Sequence, residues 1–511
     1  MKRIIYLVHR WLGIILCLFM AMWFFSGVVM MYVGFYPRLT PAERLMALPP
    51  LNIEQCCAPL SDILSAAERK DQPKDIRLTT VAGQTRFILN YGKKDLVAVD
   101  AVSAKRIAVV NQSDALAAAQ AFMPATPARY DTLLEDEDAW THSKGLDAQR
   151  PLHRIQMADT ASTVLYVSGK TGEVARDVTA VESTWGWVGG WIHLLYPFRG
   201  GAVDKHWADI VIYISIVATI LTLLGMFVGI WRWRFSGKFK TGARTPYREP
   251  WMRWHHIVGI VFGVTALTFI FSGLMSMNPF KVLDSGAPKQ ERRLANRNDI
   301  HTELFATTTQ QALKKFTQSA WAPAELEWRM VDGEAYYLAY NSHGGTLLLA
   351  AGKEHATAQP VDTFSIEKMQ AIGTAIMASS KVKEATVLKD FDFYYYNREP
   401  HSMGGNGKTL PILRLKFDDA YNTWIQLDPR TGAVINQTDS RRRLGRWLFS
   451  LLHNWDWLPL MERRPLWDIW MIVLSLGGFV MSITGVVIGW RRLRIKSAQV
   501  SSKRASKLVS P

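Results

Sequence analysis

Cysteine is nearly absent from this chain, with three in 511 residues, and no CxxC pair or zinc-type spacing occurs. That excludes a zinc module and a thioredoxin-like dithiol. Cys17 falls inside a long apolar run and reads as a packing residue. Cys56 and Cys57 are adjacent, and neighbouring cysteines bridge to each other only with strain, so the pair is expected to be unpaired or linked to a partner. No GxGxxG or Walker pattern appears in the basic segments between apolar runs, and these are too short to fold a flavin or nicotinamide domain. Carboxylates are missing from the middle of the apolar runs. A transporter would place polar groups near the bilayer midplane, so their absence argues against transport.

What the chain has instead is four long apolar runs, Ile4–Phe35, Trp207–Trp231, Trp251–Met277 and Pro465–Trp490. Each supplies the roughly 20 residues needed to cross about 30 Å of hydrocarbon, and a helix is the open-ended fold that satisfies its own backbone there. The first run starts Met1-Lys2-Arg3 as a secretory signal would. It is far longer than the roughly 7–15 residues of a signal core, and no small-residue cleavage site follows closely.

The formal net charge of +16 is confined to the ends of these runs. The segment from Arg232 to Arg253 carries seven basic residues against Glu249, the tail after Trp490 carries seven more and no acid, and Lys2, Arg3 and Arg10 complete the excess. The positive-inside rule then places both termini and the middle loop in the cytoplasm, and nucleic acid is not needed as a partner. The remaining near-neutral segments become two extracytoplasmic inserts.

The chain also repeats itself. His9-Arg10-Trp11-Leu12-Gly13 with Phe25-Ser26-Gly27 aligns without a gap to His255-His256-Ile257-Val258-Gly259 with Phe271-Ser272-Gly273. Lys170-Thr171-Gly172, His193, Trp207, Gly225 and Gly229 align likewise to Arg430-Thr431-Gly432, His453, Trp467, Gly485 and Gly489. Both copies begin on the same side of the membrane, so the repeat is parallel and implies a pseudo-two-fold axis along the membrane normal. The expected fold class is an α-helical integral membrane protein with four transmembrane helices in two parallel repeats, plus small α+β inserts of about two modules each. In the inserts Ser61–Arg69, Ser113–Phe122, Gln310–Phe316 and Ile366–Ala378 carry helical patterns. Ile76–Val81, Thr85–Asn90, Leu96–Val99, Glu334–Tyr340, Leu410–Phe417 and Thr423–Leu427 read as strands.

Of 12 histidines, four fall at matched positions of the repeat. His9 and His255 lie about one turn inside the cytoplasmic ends of the first and third runs. His193 and His453 lie in Trp-rich segments that read as short amphipathic helices ending near a proline, just before the second and fourth runs. A lone interfacial histidine most often bonds a carbonyl or a headgroup; two symmetric pairs in an apolar setting point elsewhere. Haem iron takes axial imidazoles, and its macrocycle wants apolar, aromatic walls. His9 and His193 stand at opposite faces, so the expected pairs are His9 with His255 and His193 with His453, giving two b-type haems; no CxxCH motif exists for covalent attachment. His256 and His206 are the competing ligands. His142, His153, His301, His343, His355 and His401 show no ligand spacing and read as surface residues.

The motifs above resemble those of the PepSY-associated transmembrane helix family of iron-regulated membrane proteins. The resemblance also includes Asp392-Phe393-Tyr394-Tyr395-Tyr396, Leu427-Asp428-Pro429-Arg430-Thr431-Gly432, Leu452-His453, Thr484-Gly485 and Gly489-Trp490-Arg491-Arg492. The doubled His255-His256 departs from the pattern and leaves open which imidazole binds. The resemblance implies PepSY-like inserts and a bacterial inner-membrane reductase acting on ferric siderophores. The division it suggests is helix 1–36, insert 37–182, Trp-rich segment 183–206, helix 207–231, basic loop 232–250, helix 251–277, insert 278–442, Trp-rich segment 443–464, helix 465–490 and basic tail 491–511. Electrons would come from membrane quinol or a separate cytoplasmic reductase and leave to a periplasmic ferric chelate, with Tyr394, Tyr395, Tyr396 and Arg398 as candidates for lining the acceptor site. The rival reading is a haem-free membrane-anchored module that binds peptides or restrains a protease.

Overall fold

The computed structural model describes residues 2–33, 37–54, 56–92, 95–199, 201–284, 300–377, 379–398 and 407–508. Its α-helices of six residues or more, in chain order, are α1 (Lys2–Tyr32), α2 (Pro41–Met46), α3 (Leu60–Ala66), α4 (Gln112–Phe122), α5 (Ala180–Gly186), α6 (Trp207–Arg232), α7 (Pro250–Ser276), α8 (Thr309–Gln318), α9 (Ile366–Ile376), α10 (Ser440–Gly445) and α11 (Leu466–Leu508). Four of them, α1, α6, α7 and α11, are long and apolar enough to cross a membrane, which makes the chain a multi-pass membrane protein. The shortest is about 39 Å long at 1.5 Å per residue.

The four helices form a ring in the order α1, α11, α7, α6, so that α1 and α7 face each other diagonally. Large apolar residues such as Ile15, Leu18, Ile220, Val264 and Leu476 point outward, where lipid is as good a solvent as protein. The interior combines Leu16, Met20, Phe24, Ala218, Ala266, Phe269 and Met471 with buried small polar groups, Ser26, Ser215, Ser272 and Ser482. Small residues let membrane helices approach without a hydrophobic driving force. Gly478 shows how close: a Cβ there would lie 2.4 Å from the Phe24 ring.

The two inserts emerge from one end of the bundle, called the insert side below; both termini and the α6–α7 loop lie at the terminal side. Each insert contains two α+β modules. The strands are β1 (Asp75–Val81), β2 (Gln84–Gly92), β3 (Asp95–Asp100), β4 (Arg106–Ile107), β5 (Ala128–Leu134), β6 (Leu152–Met157), β7 (Val164–Ser168), β8 (Val174–Val178), β9 (Glu325–Val331), β10 (Glu334–Tyr340), β11 (Thr346–Ala350), β12 (Val382–Leu388), β13 (Ile412–Phe417), β14 (Trp424–Leu427) and β15 (Val434–Thr438). The expected helices and strands are all present with ends shifted by a few residues, apart from position 378, which lies outside the described residues.

Sequence reasoning did not anticipate how the modules join. The first module of each insert contributes to one antiparallel seven-stranded sheet, ordered β11-β10-β9-β1-β2-β3-β4. The seam is β1 against β9, with Arg77 opposite Glu327 and Leu78 opposite Leu326. One core spans it: Phe87 of the first insert packs on Trp328 of the second, their ring centres 5.5 Å apart. The second modules keep separate four-stranded meanders, β5–β8 with α4 and β12–β15 with α9, and each runs directly into a Trp-rich segment.

Two further readings are corrected. Cys56 and Cys57 are bonded to each other as a disulfide, packed into the core of the shared sheet. His153 is not on the surface: it is 4% exposed, and its ring bridges the Tyr130 hydroxyl and the Val110 carbonyl across neighbouring elements.

Charge locks the seam. Glu325 on β9, 1% exposed, accepts both terminal nitrogens of Arg44 from α2 at 2.6 and 2.7 Å and one from Arg77 on β1 at 2.7 Å. Arg77 also pairs with Glu173 from the second module. Burial alone would push the Glu325 carboxyl up, but the Arg77 and Arg44 guanidiniums hold it down at about 2. A buried pair stripped of one partner leaves an uncompensated charge costing about 3–5 kcal/mol, so Glu325→Gln should lower the thermal midpoint of the detergent-solubilised chain. Because the folded carboxyl is more acidic than an unfolded one at about 4.3, its contribution is complete above that pH and is lost as pH falls toward 2. The wild-type midpoint should therefore fall over that window more steeply than the variant's; equal midpoints at neutral pH would mean the seam holds without this carboxylate.

Candidate functional site

Two cavities open into the four-helix bundle, one near each end, and each is lined by one of the expected histidine pairs. At the terminal side a cavity of about 680 Å³ is bordered by His9 and His255 together with Gly13, Gly259, Gly225 and Gly485. At the insert side a tighter cavity of about 150 Å³ is bordered by His193 and His453 with Trp23, Phe24, Phe269 and Phe449. The ring centres are 6.4 Å apart in the first pair and 6.2 Å apart in the second.

The backbone that presents the insert-side pair is unusual in the same way twice. Helix α5 continues into a π-helical turn at Trp187–Trp191, and α10 into one at Arg446–Leu451. The expectation of short amphipathic helices did not include this extra residue per turn, which rotates the residues after it; such turns recur at functional sites. Each histidine comes just after the turn, and two residues beyond it Leu195 and Trp455 take left-handed backbone, φ 53° and 51°. The reversal is pinned by an indole at the start of each succeeding span: Trp207 Nε1 donates to the Leu194 carbonyl at 2.8 Å, and Trp467 Nε1 to that of Asn454 at 3.0 Å.

Hydrogen bonding sets the tautomer of each ring. His9 Nδ1 lies 3.2 Å from the Leu221 carbonyl and His255 Nδ1 3.0 Å from that of Met481. A carbonyl only accepts, so both Nδ1 atoms carry the proton. His453 Nδ1 faces the Phe269 carbonyl at 3.1 Å and the Ser272 hydroxyl at 3.0 Å. His193 Nδ1 faces the Ser26 hydroxyl at 3.0 Å, whose own proton goes to the Met22 carbonyl at 2.7 Å, so Ser26 accepts from the ring. All four imidazoles are thus assigned the Nδ1–H form. None of their Nε2 atoms has a hydrogen-bond partner among the described residues, and each keeps its lone pair. Each ring also rests on a glycine of another helix: a Cβ at Gly225 would lie 2.7 Å from His9 Cε1, and one at Gly27, Gly273 or Gly485 3.5–3.6 Å from His193, His453 or His255.

The competing histidines differ. His256 uses both nitrogens, Nε2 donating to the Gly229 carbonyl at 2.9 Å and Nδ1 accepting from the Thr245 hydroxyl at 2.7 Å. It ties the α6–α7 loop to both helices and has no lone pair left. His206 is exposed at the N-terminus of α6. The Tyr394–Arg398 segment reaches the insert-side cavity from the second insert. Tyr395 is 2% exposed, with its hydroxyl on the Thr409 carbonyl. Tyr396 donates to the fully buried Asp456 carboxylate at 2.6 Å, which Arg398 also engages, and Tyr394 accepts from Trp447 Nε1 at 3.1 Å. Of the four, Arg398 borders the cavity; Tyr394 and Tyr396 hold the segment to the stretch that carries His453, and Tyr395 anchors it within the second insert. His401 lies outside the described residues. Ser26, Ser272, Gly225 and Gly485 were visible as repeated residues, but their service to the histidines required the packing.

The arrangement suits an ion gripped from two sides by neutral imidazoles. Two nitrogens about 2 Å from one metal, with ring centres about 1 Å further back, put the centroids about 6 Å apart. Among the described residues no group of three or more His, Cys, Asp or Glu side chains is placed to hold a metal, so a metal here must bring its remaining donors with it, as macrocycle-bound iron does.

The tautomers can be checked directly. Magic-angle-spinning NMR of the ligand-free chain with ¹⁵N-labelled histidine, assigned by single His→Asn variants, should show protonated Nδ1 and bare Nε2 at residues 9, 193, 255 and 453, with the reverse at residue 256. An Nε2–H tautomer at any of the four would remove that residue from the site.

The sequence pattern of the family described as PepSY-associated TM region matches residues 6–376, which include three of the four spans and His9, His193 and His255 but not His453. No curated protein matches the chain. By that match, which covers well over half of its length, the chain belongs to the PepSY-associated transmembrane family.

Proposed function

We propose that the chain is an electron-transfer protein of the bacterial inner membrane that holds two b-type haems, the first between His9 and His255 and the second between His193 and His453. In this reading the two halves are parallel repeats about a pseudo-two-fold axis, the terminal side is cytoplasmic and the inserts are periplasmic. The observation that carries it is the pair of unprotonated Nε2 atoms at each end of one bundle, with ring separations suited to two axial ligands. Haem bound at these positions would supply one-electron transfer at the iron.

The protein's own contribution is positional. Carbonyl and hydroxyl acceptors orient each ring and make it a better donor through Nε2, while the glycine beneath each ring leaves room for the imidazole. Phe24, Phe269 and Phe449 border the insert-side cavity, with the Phe269 and Phe449 rings centred 5.9 and 5.1 Å from that of His453. With no nucleotide-binding pattern in the basic segments, the electron donor is membrane quinol or a separate cytoplasmic reductase. The acceptor is an oxidised periplasmic chelate such as a ferric siderophore, whose hard oxygen donors hold Fe(II) less tightly than Fe(III). In this reading Arg398, which borders the insert-side cavity, would face that acceptor.

The test is a dithionite-reduced-minus-oxidised spectrum with haem quantitation on the purified chain and three variants. The expected result is a bis-histidine b-type spectrum with about two haems per chain. His9→Ala and His453→Ala should each lose about one, and His256→Ala should retain both. A well-folded chain without haem would overturn the proposal in favour of a membrane-anchored binding module.

A further inference from the structure

The two cavities treat charge differently. Arg398 borders the insert-side cavity, and its guanidinium is already held by the buried Asp456 carboxylate. The terminal-side cavity is bordered by Arg10, Arg232, Arg491 and Arg492 against the single acid Glu249. Glu249 is itself engaged, taking Arg491 at 2.7 Å and capping α7 through the Met252 N–H at 2.7 Å. Arg10 is the clearest case. It follows His9 in the first repeat as His256 follows His255 in the second, but where His256 has both nitrogens satisfied, Arg10 has no hydrogen bond or ion pair among the described residues. Its Nε is buried without a partner, and its guanidinium lies 5.9 Å from the centre of the Trp11 ring. A guanidinium inside a membrane helix is costly to leave unpaired, and five donors in a rigid fork match a carboxylate.

We infer that the terminal-side cavity recognises a dianionic porphyrin, with Arg10, supported by Arg492 at the mouth, receiving the carboxylates of the macrocycle that His9 and His255 hold. This rests on the haem reading above and adds an orientation: the acidic edge of the ligand faces the terminal side and lies toward α1, because the matching position on α7 is occupied by the satisfied His256. Among the described residues the insert-side cavity has no free cation to do the same, so it accepts the macrocycle without requiring its carboxylates.

The experiment uses the full chain expressed without haem supply and titrated in detergent with haem or with its dimethyl ester, followed by absorbance and by quenching of tryptophan fluorescence. The wild type should bind both ligands equally at the site that survives in His9→Ala, and should bind the ester about tenfold or more weakly than the diacid at the site that survives in His453→Ala. Arg10→Gln should remove most of the diacid's preference over the ester at the terminal side only, its unchanged insert-side binding serving as the folding control, and Arg10→Lys should recover part of the preference. Two haems bound with no preference between diacid and ester would overturn this inference and leave the haem reading standing. Failure of the wild type to bind either ligand would overturn both.

Discussion

A histidine inside a membrane helix bundle has two nitrogens and one proton, and the structure turns on where that proton goes. At four positions it points at a carbonyl or hydroxyl of a neighbouring helix, so the ring is held in place by the bundle and its second nitrogen is left bare toward a cavity. Much else can be derived from that requirement. The acceptor must come within about 3 Å, so the helix carrying it must pass close by, and glycines at 225, 485, 27 and 273 leave room for the ring. The insert-side rings must enter from outside the spans, and the paired π-helical turns and left-handed residues turn them inward.

The shared seven-stranded sheet joins the two inserts to each other. Each insert is tied to the bundle at both of its ends, and strand pairing between the inserts closes the two halves of the chain over the insert side. The seam relies on only two residue pairs of strand register, and the Arg44–Glu325–Arg77–Glu173 chain of charges compensates for that short pairing. Ion pairs taken out of water gain little net stability when intact and cost much when broken. Their value here is specificity, since a slipped register would leave Glu325 buried with no guanidinium. The constraint reaches the insert-side cavity, because the modules beyond the seam run directly into the segments that carry His193 and His453.

The spans and the two histidine pairs were legible because each is a local signal: about twenty apolar residues in a row, and an imidazole beside a motif that recurs in the sequence. The seam was not legible, because nothing in Asp75–Val81 or Glu325–Val331 marks them as partners across so much chain. Tautomers were equally hidden. His255 and His256 are indistinguishable as letters, and only the positions of Met481, Gly229 and Thr245 show that the first has a free nitrogen and the second has none. The Cys56–Cys57 bond went against the expectation that neighbouring cysteines avoid each other, and His153 looked like a surface residue because its two partners lie far away in the chain.

The divergence between the two halves is as informative as their likeness. Matched sequence would place like residues on both sides of a cavity, yet the residue after the histidine is an arginine with no ion pair among the described residues at position 10 and a doubly bonded histidine at position 256. Arg10 is half-buried with its Nε shielded and without a partner, and an anion in the space beside it would satisfy that group. His256 shows the alternative the same position can adopt, in which every polar atom is satisfied and the helix is simply anchored. A two-fold symmetric pocket would accept a flat ligand in either of two orientations; one satisfied side and one unsatisfied side select between them. The terminal-side cavity therefore has a direction that its histidine pair alone does not give it.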